Sequence, residues 1–253
     1  MSEARRIAVI TGGSRGIGAS AATSLALAGV DSVITYKSSP AAADQVVAGI
    51  KEAGGRAVAL QLDTADISSF GPFADRLRKT LSHDWERESF DFLVNNAGNS
   101  LIKPFAETTE QDFDDVFDVH LKGVFFLTQT LTPLLTDGGA IVNLSTSLTR
   151  FTGAGQSVYA TAKGAVEILT RYLAKELGDR QIAVNAFAPG PIATDFAGGA
   201  ARDSGFRDVI APQVALGRVG EPEDVGDAIT ALLTSRSHWI TGQRIEVSGG
   251  TLL

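Results

Sequence analysis

The chain has 253 residues, 44% hydrophobic and 20% charged; with no linker, repeat or low-complexity tract, this balance predicts one globular domain over residues 1–253. A net charge of −7 without a basic block disfavours nucleic acid and anionic membranes as partners, and the absence of cysteine excludes disulfides and cysteine-ligated metals, so we expect no metal site. No apolar run reaches about 18 residues, and residues 1–6 are too polar and short for a signal peptide, so we expect a cytoplasmic protein.

The first predicted strand, residues 6–10, runs straight into the glycine turn TGGSRGIG at residues 11–18 and then into a helix that should end at Gly29. Backbone N–H groups and the helix dipole at such a junction can hold a pyrophosphate. We therefore predict a dinucleotide site. Its predicted contacts in this turn are Gly12, Ser14, Arg15, Gly16, Ile17 and Gly18. The alternative is a glycine turn with a purely structural role.

The second predicted strand, residues 32–36, ends where an NAD site would place an acid to accept from the ribose 2′-hydroxyl. This chain has Tyr36 there, followed by Lys37 and Ser38. Together with Arg15, these residues could surround a 2′-phosphate through charge-assisted hydrogen bonds. The pattern predicts NADP rather than NAD, and the alternative is that Arg15 and Lys37 are ordinary surface cations.

Asp63 and Thr64 follow the third predicted strand, residues 57–62, which comes after a helix that begins at Ser39-Pro40. Strand carboxyl ends line the ligand crevice in parallel sheets, so Asp63 could accept a bond from an adenine amino group. Equally, Asp63 could cap a helix that begins near Ile67.

The fourth predicted strand, residues 92–94, opens into two amides and two small residues, Asn95-Asn96-Ala97-Gly98. Side-chain amides can hold the backbone in place, and small residues let a flat ligand approach closely. Asn95, Ala97 and Gly98 are therefore further predicted cofactor contacts.

A helix capped by Thr108 and Gln111 is predicted next, with apolar residues at helical spacing. We interpret these as core or subunit-contact residues: Phe113, Val116, Phe117, Leu121, Val124 and Phe125. His120 lies among them, and a single histidine in an apolar stripe is usually a structural residue.

A hydroxyl cluster, Ser145-Thr146-Ser147, follows the fifth predicted strand, residues 140–144. Such a cluster at the carboxyl end of a strand could donate to a substrate carbonyl or oxyanion. The alternative is a polar turn.

Tyr159 and Lys163 lie four residues apart near the start of the next predicted helix, so they share one face. A phenol titrates near ~10, so proton exchange at neutral pH needs its anion favoured by roughly three units, or ~4 kcal/mol. A fixed cation in a partly dry cleft can supply this. Alone, the same pair is also what a solvated helix face contains by chance.

Four segments, in this order and spacing, resemble the motifs of the short-chain dehydrogenase/reductase family, and the resemblance covers nearly the whole chain. They are TGGSRGIG at 11–18, NNAG at 95–98, YATAK at 159–163 and PGPIATD at 189–195. The resemblance implies an α/β fold of a single domain. Its Rossmann-type, doubly wound parallel sheet would have seven strands in the order 3-2-1-4-5-6-7, flanked by helices. It also implies a homotetramer, with a contact tail near residues 240–250, and a mobile substrate lid over about residues 195–213.

The same resemblance implies roles for individual residues. Tyr159 would donate or accept the proton, and Lys163 would bind the nicotinamide ribose and lower the pKa of the tyrosine. The stretch that contacts the nicotinamide would contain Pro189, Gly190, Ile192 and Thr194.

Two positions depart from the family pattern. Counting back thirteen residues from Tyr159, the catalytic serine of the family falls on Thr146, with Ser145 and Ser147 as alternatives. A threonine hydroxyl can donate the same bond, although its methyl narrows the pocket and stiffens χ1. His120 stands where such enzymes carry an asparagine that holds a water linking the lysine to solvent, and we predict that His120 replaces it in this relay.

We therefore predict an NADP(H)-dependent oxidoreductase that transfers hydride between nicotinamide and a carbonyl or secondary alcohol of a small molecule. The resemblance is greatest to 3-oxoacyl carrier-protein reductases. However, an acidic carrier should dock on cations, and this acidic chain offers Arg180 as one candidate contact. The remaining alternative is a cofactor-binding protein with little turnover, such as a sensor or assembly subunit.

Overall fold

A computed structural model describes residues 5–253 of the chain, apart from Arg236 and His238. Residues 1–4, part of the segment judged too polar for a signal peptide, lie outside the described residues. Within them, seven parallel strands form one sheet in the predicted order β3-β2-β1-β4-β5-β6-β7. The strands are β1 (Ile7–Ile10), β2 (Asp31–Tyr36), β3 (Ala57–Gln61), β4 (Phe90–Asn95), β5 (Leu135–Leu144), β6 (Ala183–Pro189) and β7 (Arg244–Val247).

Helices cover both faces of this sheet. They are α1 (Gly16–Leu27), α2 (Pro40–Glu52), α3 (Phe70–Trp85), α4 (Glu110–Phe117), α5 (Gly123–Leu131), α6 (Ser157–Glu176), α7 (Ser204–Ile210) and α8 (Pro222–Thr234). Alternate residues of β1 enter two cores: Ala8 and Ile10 pack with α1, α2 and α8, whereas Ile7 and Val9 pack with α3 and α5. Because both of its faces are buried, the central strand β1 is apolar throughout.

The helix boundaries differ from the predicted ones at two places. Helix α1 ends at Leu27 rather than Gly29, which has φ 82° and turns the chain. The predicted cap of Thr108 and Gln111 is wrong by one residue. Thr109 and Asp112 form the capping box instead, because the Thr109 hydroxyl accepts from the Asp112 N–H and the Asp112 carboxylate accepts from the Thr109 N–H.

The long helix expected around His120 is interrupted by a π turn, Asp118–Lys122, between α4 and α5. Gly123 follows this turn, and a Cβ there would lie 2.0 Å from the carbonyl oxygen of Thr64. The apolar stripe divides accordingly: Val116 and Val124 are buried, whereas Phe113 and Phe125 are 42% and 43% exposed.

The carboxyl ends of the strands bring the predicted motifs to one edge of the sheet. The chain order reverses between β1 and β4, which pair in parallel through Ile10 and Val94. Ligands of open parallel sheets bind in the crevice at such a switch point. No helix within the described residues is long and apolar enough to cross a membrane.

Candidate active site

The glycine turn after β1 leaves the start of α1 open to a ligand. Gly12 and Gly16 have φ of 64° and 56°, a left-handed conformation that favours glycine. A Cβ on Gly18 would lie 2.4 Å from the Gly12 carbonyl oxygen, so the helix packs against the turn more closely than a side chain allows. Arg15 occupies the N-cap position, but its side chain makes no capping hydrogen bond, and no acidic residue lies in the first turn of α1, all of which the structure describes. The first N–H groups of the helix can therefore bind a phosphate.

The other predicted residues of the turn differ in exposure. Ser14 and Ile17 are half-buried, and Ile17 packs against the core under α1. Arg15 is exposed.

Asn96, which the sequence analysis did not select as a cofactor contact, holds the glycine turn in place. Its side-chain amide donates to the carbonyl oxygens of Thr11 and Gly12 at 2.9 and 3.1 Å. In return, the Thr11 hydroxyl accepts from the backbone N–H groups of Asn96 and Ala97, both at 2.9 Å. These bonds fix the turn against the end of β4.

Asn95 is placed differently from its neighbour. Its buried amide donates to the Thr128 hydroxyl at 2.9 Å and to the Asn143 side chain at 2.8 Å. It thus joins β4 to β5 and α5, and its side-chain bonds are made inside the protein. The only signal for Asn96 in the sequence is that it is the second of two adjacent amides, and nothing local distinguishes it from Asn95.

Lys37 and Asp63 form an ion pair of 2.8 Å at the ends of β2 and β3. Partial burial would raise the pKa of Asp63, but hydrogen bonds from Lys37 and from the Ala65 N–H lower it below its usual value. The helix cap considered for Asp63 belongs to Asp66, which accepts from the Ser68 N–H at 3.0 Å. The structure therefore places Lys37, the predicted contact of the 2′-phosphate, beside Asp63, the predicted contact of the adenine.

The residues next to this pair line the same edge. Tyr36 is half-buried against the core, Ser38 is exposed, and Thr64 is half-buried with its carbonyl facing Gly123. Gly98 lies against His120, where a Cβ would meet the imidazole ring at 2.6 Å.

The hydroxyls of residues 145–147 have different partners. Ser145 donates to the Glu167 carboxylate at 2.5 Å. The Thr146 oxygen accepts from the Leu148 N–H at 3.3 Å, which leaves its own O–H proton available. Burial raises the pKa of Tyr159, and the neighbouring Thr146 side chain opposes that rise in part. Thr146 is therefore the hydroxyl that faces the tyrosine.

Tyr159 and Lys163 lie on α6 and are 8% and 3% exposed. The Lys163 ammonium does not contact the phenol directly: it donates to the Leu144 carbonyl at 2.6 Å and lies 5.9 Å from the centre of the Tyr159 ring. Burial raises the pKa of Tyr159 and lowers that of Lys163 to about 7. In the protein alone, burial therefore outweighs the cation effect that the Tyr-x-x-x-Lys spacing predicted.

His120 is 1% exposed, and its ring packs edge-on against Tyr159 with 5.1 Å between centroids. Its Nε2 lies 2.8 Å from the carbonyl oxygen of Asn99 and 3.2 Å from the backbone nitrogen of the same residue. A carbonyl oxygen can only accept, so the shorter contact assigns the proton to Nε2. Nδ1 is buried and has no partner among the described residues. Burial and the nearby Lys163 hold the pKa of His120 well below its usual value, so the ring is neutral at neutral pH.

The segment after β6 approaches the site from the opposite side. The Thr194 methyl lies 3.4 Å from where a Cβ on Gly16 would be, so Thr194 reaches the glycine turn. Pro189 ends β6, a Cβ on Gly190 would lie 2.8 Å from Ser248, and Ile192 pairs with Gly220 in an isolated bridge.

Phe196, a second residue that the sequence analysis missed, lies 5.6 Å from Tyr159 between ring centroids and is 42% exposed. It begins the predicted lid, in which Ala197, Gly198 and Gly199 all have positive φ, between 54° and 80°. The mobility of this segment stays a prediction.

Comparisons with known proteins agree with this fold. The family model described as enoyl-(acyl carrier protein) reductase matches residues 12–251. The 3-oxoacyl-[acyl-carrier-protein] reductase of Staphylococcus epidermidis is 37% identical over 245 residues, covering 96% of this chain and 97% of that protein. The angucycline C-6 ketoreductase LanV, solved with bound NADP, has a TM-score of 0.92 at 33% identity, covering 98% of this chain and 95% of that one. A short chain dehydrogenase from Burkholderia cenocepacia in complex with NADP has a TM-score of 0.88 at 35% identity, covering 98% of each chain.

The chain therefore belongs to the short-chain dehydrogenase/reductase family, as its four motifs predicted. It is an oxidoreductase that acts on a carbonyl or alcohol group.

Proposed function

We propose that this protein reduces a ketone to a secondary alcohol and that Tyr159 supplies the proton. NADP(H) is its cofactor, since relatives of 33% and 35% identity hold NADP in their structures. The uncapped start of α1 and the exposed Arg15 suit the cofactor's phosphates. The observation that carries the proposal is the meeting of Thr146, Tyr159 and Lys163 in one buried cluster at the carboxyl edge of the sheet.

The cofactor supplies the hydride, while the protein orients the carbonyl and provides the proton. Thr146 has its O–H free to donate to the carbonyl oxygen as negative charge develops there. Burial raises the pKa of Tyr159 and so keeps the phenol protonated, as a proton donor must be. In its protonated form, Lys163, held by the Leu144 carbonyl, stabilises the phenolate left behind.

A small ketone is favoured over a carrier-bound substrate. Arg180, the candidate contact for an acidic carrier, is already paired with Asp137 at 2.7 Å and donates to the Thr132 carbonyl at 2.9 Å. It also precedes β6, at the end of the sheet opposite Tyr159. The exposed Phe196 ring beside Tyr159 suits a ring-containing ketone, and a ketoreductase is among the relatives.

The test is NADPH consumption with a panel of cyclic and aromatic ketones, diketones, a 3-oxoacyl thioester and an enoyl thioester. We expect the wild type to reduce ring-containing ketones and the Tyr159→Phe variant to lose this activity while still binding NADPH. Turnover of the enoyl thioester alone would contradict the proposal. Undiminished ketone reduction by Tyr159→Phe would contradict the role of the tyrosine.

We also propose that the protein forms a homotetramer and that residues 195–213 close over the substrate. Exposed apolar residues on α6 and at the carboxyl end of the chain support the first proposal, among them Tyr172 at 65%, Trp239 at 95% and Leu253 at 95% exposure. The glycines 198 and 199 support the second, because their positive φ angles mark a turn that can absorb a hinge motion. The cytoplasmic location stays a prediction.

A further inference from the structure

One face of α6 contacts the segment of residues 144–149 at three successive turns. Tyr159, Lys163 and Glu167 follow each other at intervals of four residues, so they line up along the helix. Lys163 donates to the Leu144 carbonyl at 2.6 Å. The Glu167 carboxylate accepts from the Ser145 hydroxyl at 2.5 Å and from the Thr149 hydroxyl at 2.8 Å. The two hydroxyls that Glu167 binds thus lie on either side of Thr146.

Arg244, at the start of β7, completes this arrangement from the other side. Its Nε donates to the same Glu167 oxygen at 2.9 Å, and its Nη2 donates to the carbonyl oxygen of Thr146 at 3.3 Å. Its Nη1 donates to Glu246 at 2.9 Å, and Glu246 in turn binds Arg150 at 2.7 Å. A guanidinium can make three such bonds at once because its donors form a rigid planar fork.

The two charged groups at the centre of this network, Glu167 and Arg244, are largely buried. The side chains of Glu167 and Arg244 are 13% and 24% exposed, so both ions have lost most of their water and depend on their protein partners. Glu167 receives three donors on a single oxygen. Removing that oxygen would free the Ser145 hydroxyl and would release one contact of Arg244. It would leave the Thr149 hydroxyl only the Thr146 carbonyl as an acceptor, at 2.9 Å.

We infer that Glu167 and Arg244 are positioning residues, which set the place of the Thr146 hydroxyl relative to Tyr159. The inference rests on the proposed function, in which Thr146 donates to the substrate oxygen. Neither charged group touches Tyr159 itself. They act on Thr146 through the Ser145 and Thr149 hydroxyls and through the Thr146 carbonyl. Displacements of about 1 Å at a reacting group can cost up to ~10² in rate.

The experiment is a double-mutant cycle on kcat, using NADPH and the ketone from the panel that the wild type reduces best. We expect Thr146→Ala to lower kcat by ~10² and Glu167→Ala to lower it by ~10-fold or more. If Glu167 acts through Thr146, the double variant should be no slower than Thr146→Ala within about twofold, because the effects of coupled residues do not add. Glu167→Gln should recover most of the rate, since its amide oxygen can still accept from the Ser145 and Thr149 hydroxyls.

A matched control separates positioning from general stability. Asp91→Asn weakens the ion pair between Asp91 and Arg87, whose side chains are similarly buried at 14% and 22% exposure. This pair lies at the amino end of β4, far from Tyr159. We expect this variant to lower Tm without changing kcat, whereas Glu167→Ala should lower kcat with the Kd for NADPH unchanged. Arg244→Lys provides a second variant should Glu167→Ala not fold. A lysine cannot reach Glu167, Glu246 and the Thr146 carbonyl together, so kcat should fall there too.

Two results would overturn the inference. One is a double variant whose loss equals the product of the two single losses, which would mean that Glu167 and Thr146 act independently. The other is a normal kcat in both Glu167→Ala and Arg244→Lys. Both results are distinct from failure of the proposed function, which would appear as an active Tyr159→Phe enzyme or as a wild type that reduces no ketone.

Discussion

Three consecutive hydroxyl residues follow β5, and each has different hydrogen-bond partners. The Ser145 proton is engaged by Glu167 at 2.5 Å, and Ser147 is 3% exposed at the start of a short helical turn. Thr146 accepts from Leu148 and meets Tyr159. At the scale of single residues, the question is therefore which hydroxyl reaches the substrate, and these contacts favour Thr146.

Thr146→Ala should lower kcat by ~10² or more, because it removes the donor to the developing oxyanion. Thr146→Ser should retain most of the activity, since it keeps the hydroxyl. Steady-state kinetics with NADPH measures both, and Ser147→Ala serves as the control. A nearly normal Thr146→Ala enzyme beside an inactive Ser147→Ala enzyme would mean that the neighbouring hydroxyl is the donor.

Lys37→Ala should weaken the preference for NADPH over NADH. Loss of one charge-assisted bond to a 2′-phosphate costs about 1.5–3 kcal/mol, so the ratio of kcat/KM values should fall roughly 10- to 150-fold. The change should act on the NADPH value and leave the NADH value nearly unchanged. Lys51→Ala, on the exposed side of α2, is the control. Equal kcat/KM values for both cofactors in the wild type would refute this role of Lys37.

His120→Asn should keep substantial activity, and His120→Leu should lose rate while still binding NADPH. The buried Nδ1 has no partner among the described residues and can accept from a water, as an amide oxygen can. Because the folded pKa of His120 lies below its unfolded value, stability should be lost as the pH falls below about 6.5, and His120→Asn should reduce that loss. Rate profiles and thermal melts between pH 5 and 8 measure this. If the His120→Leu enzyme is active and has the pH profile of the wild type, His120 has only a structural role.

At the scale of elements, the π turn between α4 and α5 links His120 to the cofactor side of the site. The turn covers Asp118–Lys122, and the chain then passes the Thr64 carbonyl so closely that Gly123 has no room for a Cβ. π turns are frequent at functional sites, where they displace one residue from regular helical spacing. Here the displaced segment contains His120.

Gly123→Ala should destabilise the protein by about 3 kcal/mol, because a Cβ 2.0 Å from the Thr64 carbonyl forces backbone to move. The expected fall in Tm is roughly 6–12 °C. NADPH affinity should fall as well, since Thr64 is a predicted cofactor contact. Gly49→Ala is the matched control in α2, where a Cβ meets nothing within 4 Å, and it should stabilise by up to ~1 kcal/mol. Equal Tm values for Gly123→Ala and the wild type would contradict the packing argument.

At the scale of the whole molecule, an apolar groove of about 520 Å³ runs between α5 and α6 on the outer surface. Phe125, Ile168 and Tyr172 line it, with 43%, 48% and 65% of their surface exposed. A contiguous apolar surface of this kind is typical of an interface.

Tyr172→Glu should therefore reduce the molar mass of the assembly, because it buries a charge in the contact that we propose between subunits. Light scattering coupled to size exclusion measures the mass. Leu27→Glu is the control, since it places the same charge on a 73% exposed apolar residue of α1, away from the groove. A monomeric wild type would refute the homotetramer directly.

Local sequence predicted the individual strands and the positions of the motifs, and the order of the strands was predicted from the family resemblance. A glycine turn needs particular φ angles, a buried strand needs an apolar run, and four-residue spacing places Tyr159 and Lys163 on one face, so each can be recognised from neighbouring residues. Tertiary structure alone decided which distant groups meet. Three contacts depend on how the strands and helices pack: the Lys37–Asp63 ion pair, the hydrogen bonds from Asn96 to the glycine turn, and the ion pair between Glu167 and Arg244, which are 77 residues apart. Burial, too, reversed the expected shift in the pKa of Tyr159, because desolvation depends on every element that surrounds the phenol.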